Sequence, residues 1–147
     1  MLQAGAQLIH VAGLGCRRGC SSAQLFDLLQ QALQPHGLQP AELSALASSS
    51  HKQDEPGLRQ LAEQLHLPIA WLPASQLSHY HERLGQTSTL SLQITGSAGV
   101  AEASALAQAE VLSGQRAELL GEKLRSANAT CALARAQLLE KLFLEIQ

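Results

Sequence analysis

Aromatic side chains are scarce, at 3% of the 147 residues: two Phe, one Trp and one Tyr. Charge is thin as well. Asp, Glu, Lys and Arg make up 15%, and ten basic against twelve acidic groups leave a formal net charge of −2. Nucleic-acid proteins usually present a basic face and aromatic platforms for bases, so both shortages argue against that class. No apolar run approaches the roughly 20 residues of a bilayer-spanning helix. The N-terminal residues lack the charged start and hydrophobic stretch of a secretion signal. The three cysteines, Cys16, Cys20 and Cys131, are an odd number, which fits a reducing compartment better than a disulfide framework. These features predict a cytoplasmic protein without a membrane or nucleic-acid partner.

Apolar residues, chiefly Leu and Ala, reach 46%, and mean hydropathy is +0.01. Such a chain buries a core, and its length suits one domain over residues 1–147. Residues 8–14 are nearly all apolar and predict a buried central strand that breaks at Gly13 and Gly15. Leu25, Leu28, Leu29, Ala32 and Leu33 recur at helical spacing over 22–34, and Pro35 and Gly37 end that helix. A second strand is expected at 43–47, a helix at 56–66, a third strand at 68–72 and a short helix from Ala74 to about Leu84. Glu55, Arg59 and Glu63 have the spacing of i,i+4 ion pairs. This β-α-β-α-β-α rhythm is that of a parallel sheet wrapped by helices.

The second half is less regular. Leu90, Leu92 and Ile94 alternate as in a strand, although a loop fits nearly as well. Residues 95–99 form a glycine loop before an Ala-rich helix over 100–108. Residues 117–120 and 129–134 read as strands joined by a basic connection holding Lys123 and Arg125, whose short length implies an antiparallel pair and a mixed sheet. The pattern of Leu138, Leu139, Leu142, Phe143 and Ile146 completes a terminal helix. The fold class is therefore α/β with a mixed, mostly parallel sheet.

Ligands of open α/β sheets bind beyond the carboxyl ends of the strands. Three loops fall there: 13–22, 48–57 and 95–99. They offer Arg17, Arg18, Lys52, Asp54, Glu55 and, from the following helix, Glu102. Arginines beside helix N-termini suit a ligand with several carboxylates, though the same arginines also fit as solvated loop charges. The glycines are not a dinucleotide fingerprint, because Arg18 stands where the third glycine belongs. Cys16 and Cys20 lack the spacing of redox or zinc pairs. Cys16 beside the arginines is a candidate for a lowered pKa, but no histidine is near it in sequence, and a small buried cysteine is the better reading. His79 and His81 read as surface residues. Asp54, Glu55 and Glu102 fit general acid/base roles and, at least as well, the start of a helix. No metal or cofactor is called for.

Four blocks, in order, resemble the CobE/CbiG C-terminal family of cobalamin biosynthesis. They are Gly13-Leu14-Gly15-Cys16-Arg17-Arg18-Gly19, Lys52-x-Asp54-Glu55-x-Gly57-Leu58, Gly99-Val100-Ala101-Glu102-Ala103-x-Ala105-Leu106 and Asn128-Ala129-Thr130-Cys131-Ala132-Leu133-Ala134. Together they span roughly residues 8–135. Cys20 stands where the family pattern has Thr or Ser, and residues 137–147 lie outside the resemblance. The resemblance implies a three-layer α/β/α domain acting on precorrin or hydrogenobyrinic-acid-like tetrapyrroles, which carry many carboxylates. The chain lacks the length for the N-terminal portion of the fused relatives, so it resembles the free-standing CobE type of the oxygen-dependent route.

That resemblance implies an accessory carrier or chaperone for a corrin-ring intermediate. Arg17, Arg18 and Lys52 would hold peripheral carboxylates, and the loop through Gly13, Gly15, Cys16, Gly19 and Ser21 would supply neutral donors. Glu55 and Glu102 would orient the basic groups or accept hydrogen bonds from the ring. The alternative is a hydrolase opening the precorrin ring lactone with loss of a two-carbon fragment, with Glu55 or Glu102 as the base. A third reading is an interaction domain that docks other pathway enzymes. Lys123 and Arg125 have no position relative to the cleft from sequence alone.

Overall fold

The computed structural model describes residues 7–80 and 99–138. In chain order these form β1 (Leu8–Cys16), α1 (Ser22–Leu33), β2 (Ala45–Ser49), α2 (Pro56–Leu65), β3 (Ile69–Leu72), α3 (Ala74–Ser78), α4 (Val100–Ser113), β4 (Glu118–Leu119), β5 (Leu124–Arg125) and β6 (Ala129–Gln137). The strands lie in the order β3-β2-β1-β6-β4, with β5 also on β6. β1, β2 and β3 are parallel, whereas β6 runs antiparallel to β1, β4 and β5. The sheet is mixed, as the short connection before β6 implied.

Alternation along the strands sorts the core into two layers. Ala12, Leu14, Cys16, Cys131 and Leu133 face α1 and α2, packing on Leu25, Leu29, Leu58 and Leu61. Val11, Ala45, Ala47, Ala134 and Ala136 face α4, whose Ala103, Ala105, Ala107 and Ala109 are buried against them. The result is a three-layer α/β/α arrangement with Leu on one side of the sheet and Ala on the other.

The Ala-rich side requires a glycine. A Cβ on Gly13 would collide with the Ala101 carbonyl oxygen and lie 2.8 Å from both the Ala105 nitrogen and Ser104 Oγ. Gly13 therefore does not break the strand. β1 continues through Gly13 and Gly15 to Cys16, paired residue by residue with β6 from Leu8↔Gln137 to Cys16↔Ala129.

Other boundaries shift for local reasons. β2 begins at Ala45 and reaches Ser49, two residues later than the hydrophobic pattern suggests. Ser48 is fully buried there and donates Oγ–H to the Leu14 carbonyl at 2.7 Å, so its hydroxyl is satisfied inside the sheet. α4 runs past Gln108 to Ser113 and ends on Gly114 at φ 75°. Its Glu110 accepts from the Tyr80 hydroxyl at 2.7 Å and from the Ala117 amide at 2.8 Å, which explains a polar residue on this mostly buried helix. Arg59 does not use its i,i+4 spacing. Its guanidinium bonds the Gln53 carbonyl and lies 5.8 Å from the Trp71 ring centroid. The alternating residues 90–94, His81 and the terminal helix pattern after Leu138 lie outside the described residues.

Gly13→Ala is expected to cost ~3 kcal/mol or to prevent soluble accumulation, because backbone rather than side-chain ends must move. Urea unfolding measures this. A loss under about 0.5 kcal/mol, the scale of an ordinary surface change, would contradict the close approach of α4.

Candidate functional site

Three features converge at the carboxyl ends of β1 and β2: the start of α4, the short turn Ser50–Lys52 and the turn between β5 and β6. They enclose a cavity of about 480 Å3 lined by four cationic side chains, Arg17, Lys52, Lys123 and Arg125. His51, Ser126, Asn128 and Thr130 add polar groups to its wall. Gly15 keeps one wall open, since a Cβ there would lie 2.6 Å from Thr130 Oγ1.

Each piece is held by local hydrogen bonds. The Arg17 amide donates to the Asn128 carbonyl at 2.8 Å, tying the arginine loop to the β5–β6 turn. In that turn Ser126 Oγ accepts from the Ala129 amide at 3.1 Å, and the Ser126 amide donates to the Ala129 carbonyl at 2.8 Å. Ser49 Oγ accepts from the His51 amide at 3.2 Å, which bends the chain out of β2 and brings His51 and Lys52 to the wall. Across the sheet end the order is Lys52 after β2, Arg17 after β1, then the turn and Lys123 beside β5. Among the described residues, neither Arg17 nor Lys52 has a carboxylate within ion-pair distance.

The structure brings Gly15, Cys16, Arg17 and Lys52 to this cavity. Gly13 is packed beneath α4. Arg18 is exposed and outside the lining. Gly19, at φ 83°, donates its amide to Glu55 Oε1 at 3.0 Å, so this carboxylate holds the arginine loop against the start of α2. Ser21 is the N-cap of α1, in a reciprocal pair with Gln24 at 3.1 Å each way. Those bonds occupy its hydroxyl as an acceptor.

Glu102 sits in the first turn of α4, with Oε1 3.2 Å from Lys123 Nζ, and both side chains are nearly buried, at 12% and 14% exposure. Oε1 itself receives no aligned hydrogen bond among the described residues, so the contact is ionic without hydrogen-bond geometry. Sequence reasoning missed His51, Ser126, Asn128 and Thr130, and left Lys123 and Arg125 unplaced. The usable signal was the basic connection before β6, whose two-residue strand β5 folds it back over the sheet end.

The cysteines are buried thiols. Burial pushes Cys16 up to about 11, with Cys20 and Glu55 beside it acting in the same direction. Burial also raises Cys20 and pushes Cys131 up to about 12. Cys16 therefore lines the cavity as a protonated thiol at neutral pH, which agrees with the small buried cysteine preferred from sequence over the lowered-pKa alternative. Among the described residues no three His, Cys, Asp or Glu side chains converge as a metal site requires, and no helix is long and apolar enough to cross a membrane. A second concavity of about 390 Å3, between the end of α1 and the segment 37–40, has no charged side chain in its lining.

A family model described as the cobalamin synthesis G C-terminus matches residues 10–134. The chain belongs to that family. It is a CobE/CbiG-like protein of cobalamin biosynthesis. It is 36% identical to the Sinorhizobium protein CobE over 132 residues, covering 90% of this chain and 82% of that one. A crystal structure of CobE, described as a protein of the cobalamin (vitamin B12) biosynthetic pathway, superposes with a TM-score of 0.80 at 50% identity, covering 88% and 91% of the two chains. The chain is also 33% identical over 123 residues to the cobalt-precorrin-5A hydrolase of Salmonella typhimurium, of which it spans 33%. The cobalamin biosynthesis protein ChiG of Agrobacterium tumefaciens superposes with a TM-score of 0.65 at 31% identity, covering 86% and 97%.

The raised thiols set an alkaline limit. The folded protein keeps protons on these cysteines at a pH where unfolded thiols, near 9.0, have lost them. Their contribution to stability is thus complete below pH 9 and is lost as pH rises through about 11 to 12. Urea midpoints between pH 7 and 11 are expected to fall above pH 9, and less steeply in Cys131→Ala. An unchanged slope in that variant would contradict the assignment.

Proposed function

We infer that the protein binds a precorrin or later corrin-ring intermediate by a carboxylate-bearing edge in this cavity, as an accessory carrier or chaperone of the aerobic pathway. The observation that carries this reading is the convergence of Arg17, Lys52, Lys123 and Arg125 on one wall system in a protein whose net charge is −2. A local excess of cations against an acidic background attracts a polyanion and orients it. Arginine adds paired donors that match a carboxylate. The cavity has the size of a small-molecule pocket. A tetrapyrrole with its peripheral arms exceeds it, so the ring is held by an edge and stands out toward solvent, accessible to the next pathway enzyme.

The hydrolase reading draws on the 33% identity to cobalt-precorrin-5A hydrolase. The geometry favours binding instead. Glu55 is engaged by the Gly19 amide and Glu102 by Lys123, so both candidate bases already have structural partners. In this reading Arg18 stays in solvent, Gly13 and Ser21 are architectural, and Gly15, Arg17 and Lys52 meet the ligand.

Absorbance titration with hydrogenobyrinic acid tests the assignment. Arg17→Ala/Lys52→Ala is expected to weaken binding at least ~10-fold, the scale of losing charge-assisted hydrogen bonds, and to flatten its salt dependence. Arg18→Ala is expected to stay within about twofold, as for an exposed charge. Recovery of unchanged ligand supports a carrier, and conversion to product would favour the hydrolase. Equal affinity in wild type and the double variant would remove the cavity from consideration.

A further inference from the structure

Arg17 and Lys52 face the cavity without a carboxylate in ion-pair reach among the described residues. Each opens a hydrogen-bonded turn. The Cys20 amide donates to the Arg17 carbonyl at 3.1 Å, and the Glu55 amide donates to the Lys52 carbonyl at 3.0 Å. The arginine turn needs a glycine, because Gly19 sits at φ 83°. The Gly19 amide donates in turn to Glu55 Oε1 at 3.0 Å. The residue that closes the lysine turn thus holds the arginine turn. Two positions on, a Cβ on Gly57 would collide with the Cys20 carbonyl oxygen, so the start of α2 lies directly against the end of the arginine turn. From the other side, the Asn128 carbonyl accepts from the Arg17 amide.

Glu55 is the N-cap residue of α2, yet its side chain makes no capping bond. An oxygen at that position ordinarily accepts from the second or third amide of its own helix. Here the carboxylate reaches across to the other turn instead. Docked in this way, Arg17 and Lys52 keep a fixed separation. Two cations held in advance at one spacing favour two carboxylates of the same ligand, since the second contact forms without further ordering.

We propose that Arg17 and Lys52 form a clip for two neighbouring carboxylate arms of one ligand, and that Glu55, acting through the Gly19 amide, sets its span. Glu55 is then a positioning residue, neither a base nor a repelling charge. The ligand class is a polyacid that presents two free carboxylates side by side on one edge. The proposal rests on the reading of the cavity as a corrinoid site.

Glu55→Asp separates the positioning role from a structural one. It keeps the charge, places a favoured capping residue at the start of α2 and falls one methylene short of Gly19. Hydrogenobyrinic acid is expected to bind it about fivefold more weakly, the scale of one lost hydrogen bond, while the urea midpoint holds or rises. Glu55→Gln keeps the accepting oxygen and stays within about twofold of wild type. Unchanged affinity in Glu55→Asp, equal losses in both variants, or tighter binding in Glu55→Gln each overturns the positioning role. The clip is read from Arg17→Ala, Lys52→Ala and their double variant, which need no change at Glu55. Losing either end opens the clip, so the double variant loses about fivefold less than the product of the single losses. With Glu55→Asp added, the losses multiply to within about twofold. Losses that multiply in both backgrounds overturn the clip and leave the corrinoid site standing. Absence of binding by wild type overturns the site itself, and the clip with it.

Discussion

The close approach of α4 to β1 at Gly13 is the constraint on which the arrangement depends. A helix can reach the sheet this closely only where the strand lacks a Cβ and the helix carries small side chains. Both conditions are met, by Gly13 and by the buried alanines of α4. The contact fixes the start of α4, and thereby Gly99, Val100 and Ala101, at the cavity wall. It also fixes Glu102 against Lys123. On the other face, bulkier leucines from α1 and α2 fill the larger gap. The sheet is thus clamped between a thin layer and a thick one, and the cavity opens where the thin layer begins.

Much of the fold was legible because periodicity and helix signals agree along the first half. α1 and α2 lie within a residue of their expected bounds, since leucine stripes, Pro56 and the Ser21 cap all act over a few residues. The glycines of β1 misled for a physical reason. Glycine in a strand marks either a turn or a close neighbour, and only the tertiary contact with α4 decides between them. β2 was displaced because the hydroxyl of Ser48 is paid for by a carbonyl 34 positions away in sequence, a partner that hydropathy cannot reveal.

The site was half legible. Arg17 and Lys52 follow strands that carry their own signals, so the rule for open α/β sheets found them. Arg125 lies on, and Lys123 just before, a two-residue strand, Leu124–Arg125, whose pairing with Cys131 and Thr130 comes from β6 rather than from any local pattern. Glu55 and Glu102 share a position near a helix start, yet one ties down a loop amide and the other a buried ammonium. Residue type and spacing cannot separate those two roles.

The central claim is that one polyanion-binding cavity lies over the carboxyl ends of β1 and β2. Amide chemical-shift mapping with hydrogenobyrinic acid tests it most directly, since the protein is small and every wall segment contributes a backbone signal. The account predicts perturbations concentrated at Gly15–Arg17, His51–Lys52, Gly99–Ala101 and Lys123–Thr130. Perturbations concentrated instead around Gln34–Pro40, where the second concavity lies, would contradict it.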